Sequence, residues 1–124
     1  MFSKDATKDN AQLIVLSLLR AGPMYGYAIS KEIATRSENS LRLTPGVLYP
    51  MLRELERDGL VDATLEQVRS DRREGDEASP GRPRKWYTLT AKGRRRLESK
   101  LAAHRAMQAL LGLFIPARGK EASR

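Results

Sequence analysis

Leu43-Thr44-Pro45-Gly46-Val47-Leu48-Tyr49-Pro50-Met51-Leu52 is the stretch on which the fold of this chain turns. A hydroxyl residue followed by proline is a strong helix start: the hydroxyl can cap the first amides, and proline lacks an N–H that the first turn would leave unpaired anyway. The helix so begun is expected over about 45–58, with Gly59 as its cap. Leu48, Leu52 and Leu55 form its buried stripe, which leaves Gly46, Val47, Pro50, Arg53 and Arg57 on the other side and Tyr49 at the flank. Pro50 removes an N–H inside the helix and is expected to kink or loosen the first turn.

Upstream, residues 1–8 are polar and read as frayed, and Asp9 with Gln12 three positions on reads as a capping-box start. Leu13, Ile14, Val15, Leu16, Leu18 and Leu19 make the helix that follows apolar almost all round, so it needs cover from more than one side. Gly22-Pro23 stops it. Tyr25-Gly26-Tyr27 opens a second helix with Ile29 and Ile33 on its inner face and Lys31, Glu32 and Arg36 towards water. Leu41-Arg42-Leu43 is a short extended link.

Downstream, Leu60 to Glu66 alternates, with Val61, Ala63 and Leu65 on one face, as a half-buried strand does. Residues 67–83, QVRSDRREGDEASPGRP, are dense in mixed charge without apolar periodicity and read as a long mobile loop. Arg84-Lys85-Trp86-Tyr87-Thr88-Leu89 returns as the partner strand, one of its two aromatics facing the domain. Thr90 caps a last helix that runs through Leu97 and Leu101 to Ile115 and stops at Pro116, before a disordered tail. Helix, helix, helix, strand, loop, strand, helix is the order of a winged helix-turn-helix with a C-terminal helix added, mainly α with a small β-hairpin.

The domain division follows: 1–89 as the helix-turn-helix head, with its hairpin at about 60–89, 90–116 as a C-terminal dimerisation helix, and 117–124 as tail. At 124 residues and 40% hydrophobic, one compact domain is expected. With Cys 0 and His 1, disulfides, thiolate catalysis and zinc or iron–sulfur sites are excluded as classes. No glycine-rich phosphate cradle and no Ser/His/Asp set appears, so neither an enzyme nor a cofactor is expected. Lys+Arg 23 against Asp+Glu 15 leaves a formal +8, which points to polyanions. No apolar run reaches the roughly 18 residues of a membrane span and no signal core precedes the first helix, so the chain reads as cytoplasmic.

Gly22-Pro23-Met24-Tyr25-Gly26-Tyr27-Ala28-Ile29, the decisive stretch from Leu43, Leu55-Glu56 and Gly59-Leu60-Val61 together resemble the PadR family of transcriptional regulators. Gly81-Arg82-Pro83-Arg84-Lys85-Trp86-Tyr87-Thr88-Leu89-Thr90 with Gly93 is similar to that family's second wing strand and the start of its dimerisation helix. The resemblance covers most of the chain and implies a dimeric repressor of the subgroup with one C-terminal helix. The chain departs from the family in a longer, more charged wing loop and in a last helix without the tryptophan that lines drug pockets in some relatives.

Double-stranded DNA is therefore the expected partner. Thr44, Pro45 and the free amides of Gly46 and Val47 would meet a phosphate or base edge at the helix N-terminus, with Pro50 and Arg53 further along. Tyr25 and Tyr49 are candidates for phosphate contacts through their hydroxyls, or for packing. Arg82 and Arg84, with Lys85, sit in a Gly-Arg-Pro phrase similar to an AT-hook core and are expected at phosphates or the minor groove.

In the last helix Leu97, Leu101, His104, Gln108, Leu111 and Ile115 fall at alternating four and three spacing, a heptad-like seam. Together with Leu13 and Leu16 of the first helix, and with Met107 and Phe114, they are expected to face a second copy. Met107, Leu111 and Phe114 would line a cavity for a small apolar or aromatic effector, whose binding would change the angle between the two heads and release DNA. His104 is an interface or surface residue. Two other readings stay open: a winged-helix module that docks protein, and RNA binding through the same basic face, which nothing in the sequence positively suggests.

Overall fold

The computed structural model describes residues 4–66 and 84–116. The elements are α1 (Lys4–Arg20), β1 (Met24–Tyr25), α2 (Gly26–Arg36), α3 (Pro45–Arg57), β2 (Val61–Leu65), β3 (Lys85–Leu89) and α4 (Ala91–Gly112). The three helices and hairpin of a winged helix-turn-helix are all present, and α4 extends from the end of the hairpin.

α1 begins at Lys4, well before Asp9, so Asp9 lies inside the helix and the capping-box start is corrected. Its apolar residues need the two-sided cover foreseen for them: Val15, Leu16 and Leu19 are enclosed, with α4 and β3 both packed on this helix. The turn between α2 and α3 is closed by backbone and hydroxyl bonds. Glu38 (φ 51°) and Asn39 (φ 66°) adopt the left-handed region, and their amides donate to the Thr35 and Ala34 carbonyls. The Ser37 hydroxyl donates to the Leu41 carbonyl and accepts from the Leu41 amide, each at 3.1 Å, while Ser30 Oγ donates to the Leu43 carbonyl at 3.0 Å. Leu43, read as a plain link, is buried beside α3 as a result.

α3 runs unbroken through Pro50. It ends in a Schellman motif: Gly59, at φ 76°, donates to the Glu56 carbonyl, and Leu60 donates to Leu55. That reversal drops Leu60 and Val61 into the core.

The sheet has three antiparallel strands in the order β1-β3-β2. The two-residue β1 takes Tyr25 out of the second helix, whose opening was expected there, since a pair of residues has no alternation that a sequence could display. It pairs Met24 with Tyr87 and Tyr25 with Trp86, while β2 places Ala63 opposite Tyr87 and Thr64 opposite Trp86. Paired residues share a face. Met24, Tyr87 and Ala63 thus lie towards the helices and Tyr25, Trp86 and Thr64 away from them. Leu65, expected on the buried face, is 62% exposed at the end of its strand, opposite the exposed Lys85.

Thr90 joins the head to α4. Its hydroxyl accepts from the Gly93 amide at 2.9 Å as an N-cap and donates to the Gly59 carbonyl at 2.6 Å, while its amide donates to the Leu60 carbonyl at 3.1 Å. Lys92 Nζ donates to the Asp58 carbonyl at 2.9 Å. Thr90→Ala removes both hydroxyl bonds and is expected to cost about 2 kcal/mol, read as a lower Tm, with Thr90→Ser recovering most of it.

Candidate nucleic-acid interface

Leu48, Met51, Leu52 and Leu55 hold α3 to the core, and that stripe fixes which residues turn outward. Met51 was missing from the expected stripe. Gly46, Pro50, Arg53 and Arg57 are exposed on the opposite side, with Val47 half-exposed on one flank and Tyr49 on the other. Arg53 has no ion pair or hydrogen bond among the described residues. Among the described residues Arg57 pairs with the neighbouring Asp58 carboxylate alone, at 3.4 Å and in full view of water, where such a pair is weak.

Two details at the N-terminus of α3 correct the expectation. Thr44 occupies the cap position with extended backbone (φ −69°, ψ 161°), but its side chain makes no capping bond. Its carbonyl instead accepts from the Val47 amide at 2.9 Å and the Leu48 amide at 2.8 Å. Val47 therefore offers no free N–H, and at this terminus the Gly46 amide is the donor without an intrahelical partner. The Thr44 hydroxyl is left for an outside acceptor.

Tyr49 packs its ring against the start of α2 and stays 36% exposed. A Cβ placed on Gly26 would lie 2.6 Å from its hydroxyl oxygen and 2.7 Å from its ring, so the ring sits directly on the bare backbone that starts α2. The enclosed Tyr87 lies in the same neighbourhood. Burial raises its phenol above the usual 10.0, the nearby Tyr49 and Glu56 raise it further, and Arg53 opposes them. Because the folded-state value is the raised one, Tyr87 contributes stability below about pH 10 that is lost as pH rises beyond it.

At the loop end of the hairpin strands, Arg84 lies over the Tyr25 ring at 4.8 Å from its centroid. Tyr25 meets Trp86 edge to face at 5.1 Å, and the indole N–H donates to Glu66 at 3.2 Å. Tyr25 is thus a platform for Arg84, and Trp86 belongs to the outward face of the sheet while Tyr87 takes the core. Lys85 turns to α3, with its ammonium 3.6 Å from Glu56. Arg82 and the charged stretch 67–83 lie outside the described residues, as do residues 1–3 and the tail 117–124.

The C-terminal helix is part core and part open surface. Leu16 and Leu97, at 0% exposure, are enclosed by their own chain, which corrects their assignment to a contact with a second copy. Leu13 and Leu101 are half-buried against the same core. His104, Met107, Gln108 and Leu111 are exposed, together with Leu110, which the heptad seam left out. α4 ends at Gly112, not Ile115. Phe114 (78% exposed) and Ile115 (59%) lie in the turn beyond it, so the seam does not continue to them as helix. Arg20 and Glu98, 3.7 Å apart, bridge α1 to α4. No helix among the described residues is long and apolar enough to cross a membrane.

Comparison with known proteins agrees with this geometry. Residues 15–99 match the Transcriptional regulator PadR-like family. An uncharacterised protein of Lysinibacillus sphaericus is 27% identical over 115 residues, spanning 93% of this chain and 96% of that one. A transcriptional regulator from Clostridium thermocellum superimposes with a TM-score of 0.71 at 24% identity, covering 93% of this chain and 99% of its own. A PadR family transcriptional regulator from Eggerthella lenta gives 0.68 at 28% identity, covering 87% and 83%.

Proposed function

The chain belongs to the PadR-like family of transcriptional regulators, DNA-binding proteins rather than enzymes, and on that premise we propose that it acts as a homodimeric repressor on a palindromic operator. The observation that carries this reading is the outward face of α3, where Arg53 is uncommitted and Thr44 makes no cap bond while four apolar residues lock the opposite face to the core. A helix held in that way presents a fixed edge to the major groove. Residues 1–89 form the DNA-binding head, and α4 with the turn after it carries the contact with the second copy. Two heads then meet successive major grooves about one helical turn apart. Arg84, held over Tyr25, reaches the flanking backbone or minor groove.

An apolar or aromatic effector would enter among Met107, Leu111 and Phe114 and change the separation of the heads. Only a ligand with different affinities for the two arrangements can release DNA. An operator affinity unchanged by an effector that demonstrably binds would remove this part of the reading.

The experiment is selection from a random duplex library at near-physiological salt, with the mass in solution measured alongside. A two-fold symmetric site and a dimer mass are expected, with affinity falling roughly a thousandfold between 50 and 200 mM salt. Arg53→Ala should weaken binding about tenfold or more at particular base pairs. Arg84→Ala should weaken all sequences alike and lower the salt slope by about one. Sequence-blind binding by a monomer would favour a protein-docking module, and preference for single strands would favour RNA.

A further inference from the structure

We propose that Val47, with Pro50 beside it, reads the 5-methyl group of a thymine in each half-site, and that Gly46 lets the base pair come close enough for that contact. The proposal rests on the DNA-binding reading above and names the base class at one position of the site.

The first turns of α3 present almost no hydrogen-bonding side chain. Pro45, Gly46, Val47 and Pro50 carry none, the Val47 amide is held by Thr44, and with Tyr49 seated on Gly26 at the flank away from Val47 the polar groups left are the Thr44 hydroxyl and the Gly46 amide. Val47 and Pro50 are three residues apart, hence neighbours on the helix surface, and Val47 is 51% exposed. An apolar surface pressed against the polar edge of a guanine, cytosine or adenine leaves base donors and acceptors unpaired. Thymine alone offers an apolar group in the major groove.

Gly46 supplies the second observation. It lies inside a helix, its φ is ordinary, and a Cβ built on it meets nothing within 4 Å. The fold has no need of glycine there, and glycine is a poor helix former. What its missing side chain provides is close approach from outside the chain, one turn before Pro50 on the same outward face of the helix.

The test uses the full-length protein and the symmetric site obtained by selection, with each thymine replaced in turn by uracil, which lacks only the methyl. At one thymine per half-site, uracil should weaken wild-type binding about fourfold, and about fifteenfold when both half-sites are changed. Val47→Ala should bind the thymine site more weakly than wild type and lose most of the distinction between thymine and uracil. Gly46→Ala should keep or raise the Tm and still lose operator affinity.

A site without any uracil-sensitive position, a Val47→Ala protein that keeps the full uracil effect, or a Gly46→Ala protein that binds like wild type would overturn the proposal while leaving the repressor reading intact. Failure of selection to give any symmetric site would overturn both.

Discussion

Gly93→Ala is expected to lower the Tm by roughly 15 °C or more, although alanine is the better helix former by about 1 kcal/mol. A Cβ at Gly93 would collide with the Leu60 carbonyl oxygen and stand 2.9 Å from its carbon and 2.8 Å from Leu89 Cδ1. The carbonyl cannot step aside alone, since it accepts the Thr90 amide and belongs to the backbone that carries Val61 into the core. Separating α4 from the sheet far enough to admit one methyl would loosen Leu97 and Leu89 together. The expected loss is about 3 kcal/mol, at the top of the usual cost of overpacking because backbone rather than a side chain is struck. Gly112→Ala is the control: its Cβ meets nothing within 4 Å, and its Tm should be unchanged or slightly higher. Thermal melts of the two variants beside wild type settle the matter, and a stable Gly93→Ala would mean that α4 sits off the sheet.

The second large effect is on assembly. Leu111→Glu combined with Phe114→Glu should halve the mass in solution and weaken operator binding at least a hundredfold, with helical content unchanged. Both positions are exposed in the single chain, at 45% and 78%, so the substitutions disturb nothing the chain packs for itself. Two carboxylates brought against their own symmetry mates in an apolar contact would have to desolvate and repel. Once the heads are separate, the second half-site no longer benefits from the high local concentration set by the first. Sedimentation and an operator titration check the two halves of this prediction. A variant that remains a dimer would place the contact elsewhere.

The helices and the order of elements were legible because each has a stripe at helical spacing and a chemical stop: Thr44-Pro45 and Gly59 around α3, Gly22-Pro23 after α1, Thr90 before α4. The same periodicity reveals that a face is covered but not by what. Leu16 and Leu97 have the spacing of an interface, yet each is enclosed by its own chain. β1 is not legible in the sequence because it exists through its pairing with β3, which no local pattern encodes. At the candidate interface, the outward position of Arg53 followed from the helix alone. The loss of the Val47 amide to Thr44 and the seat of Tyr49 on Gly26 did not, since both depend on tertiary or cap geometry.

Packing makes the outer half of α4 a lever. Leu97 and Leu101 seat its first turns on the core and the Arg20–Glu98 pair ties them to α1, so the arm that projects runs from Leu101 to Gly112, roughly 17 Å at about 1.5 Å of rise per residue. Over that arm a tilt of about twelve degrees becomes a displacement of about 3.4 Å, the rise of one base pair. In the proposed dimer, a bend of that size beyond the packed turns would put two heads out of step with the double helix by a whole base pair.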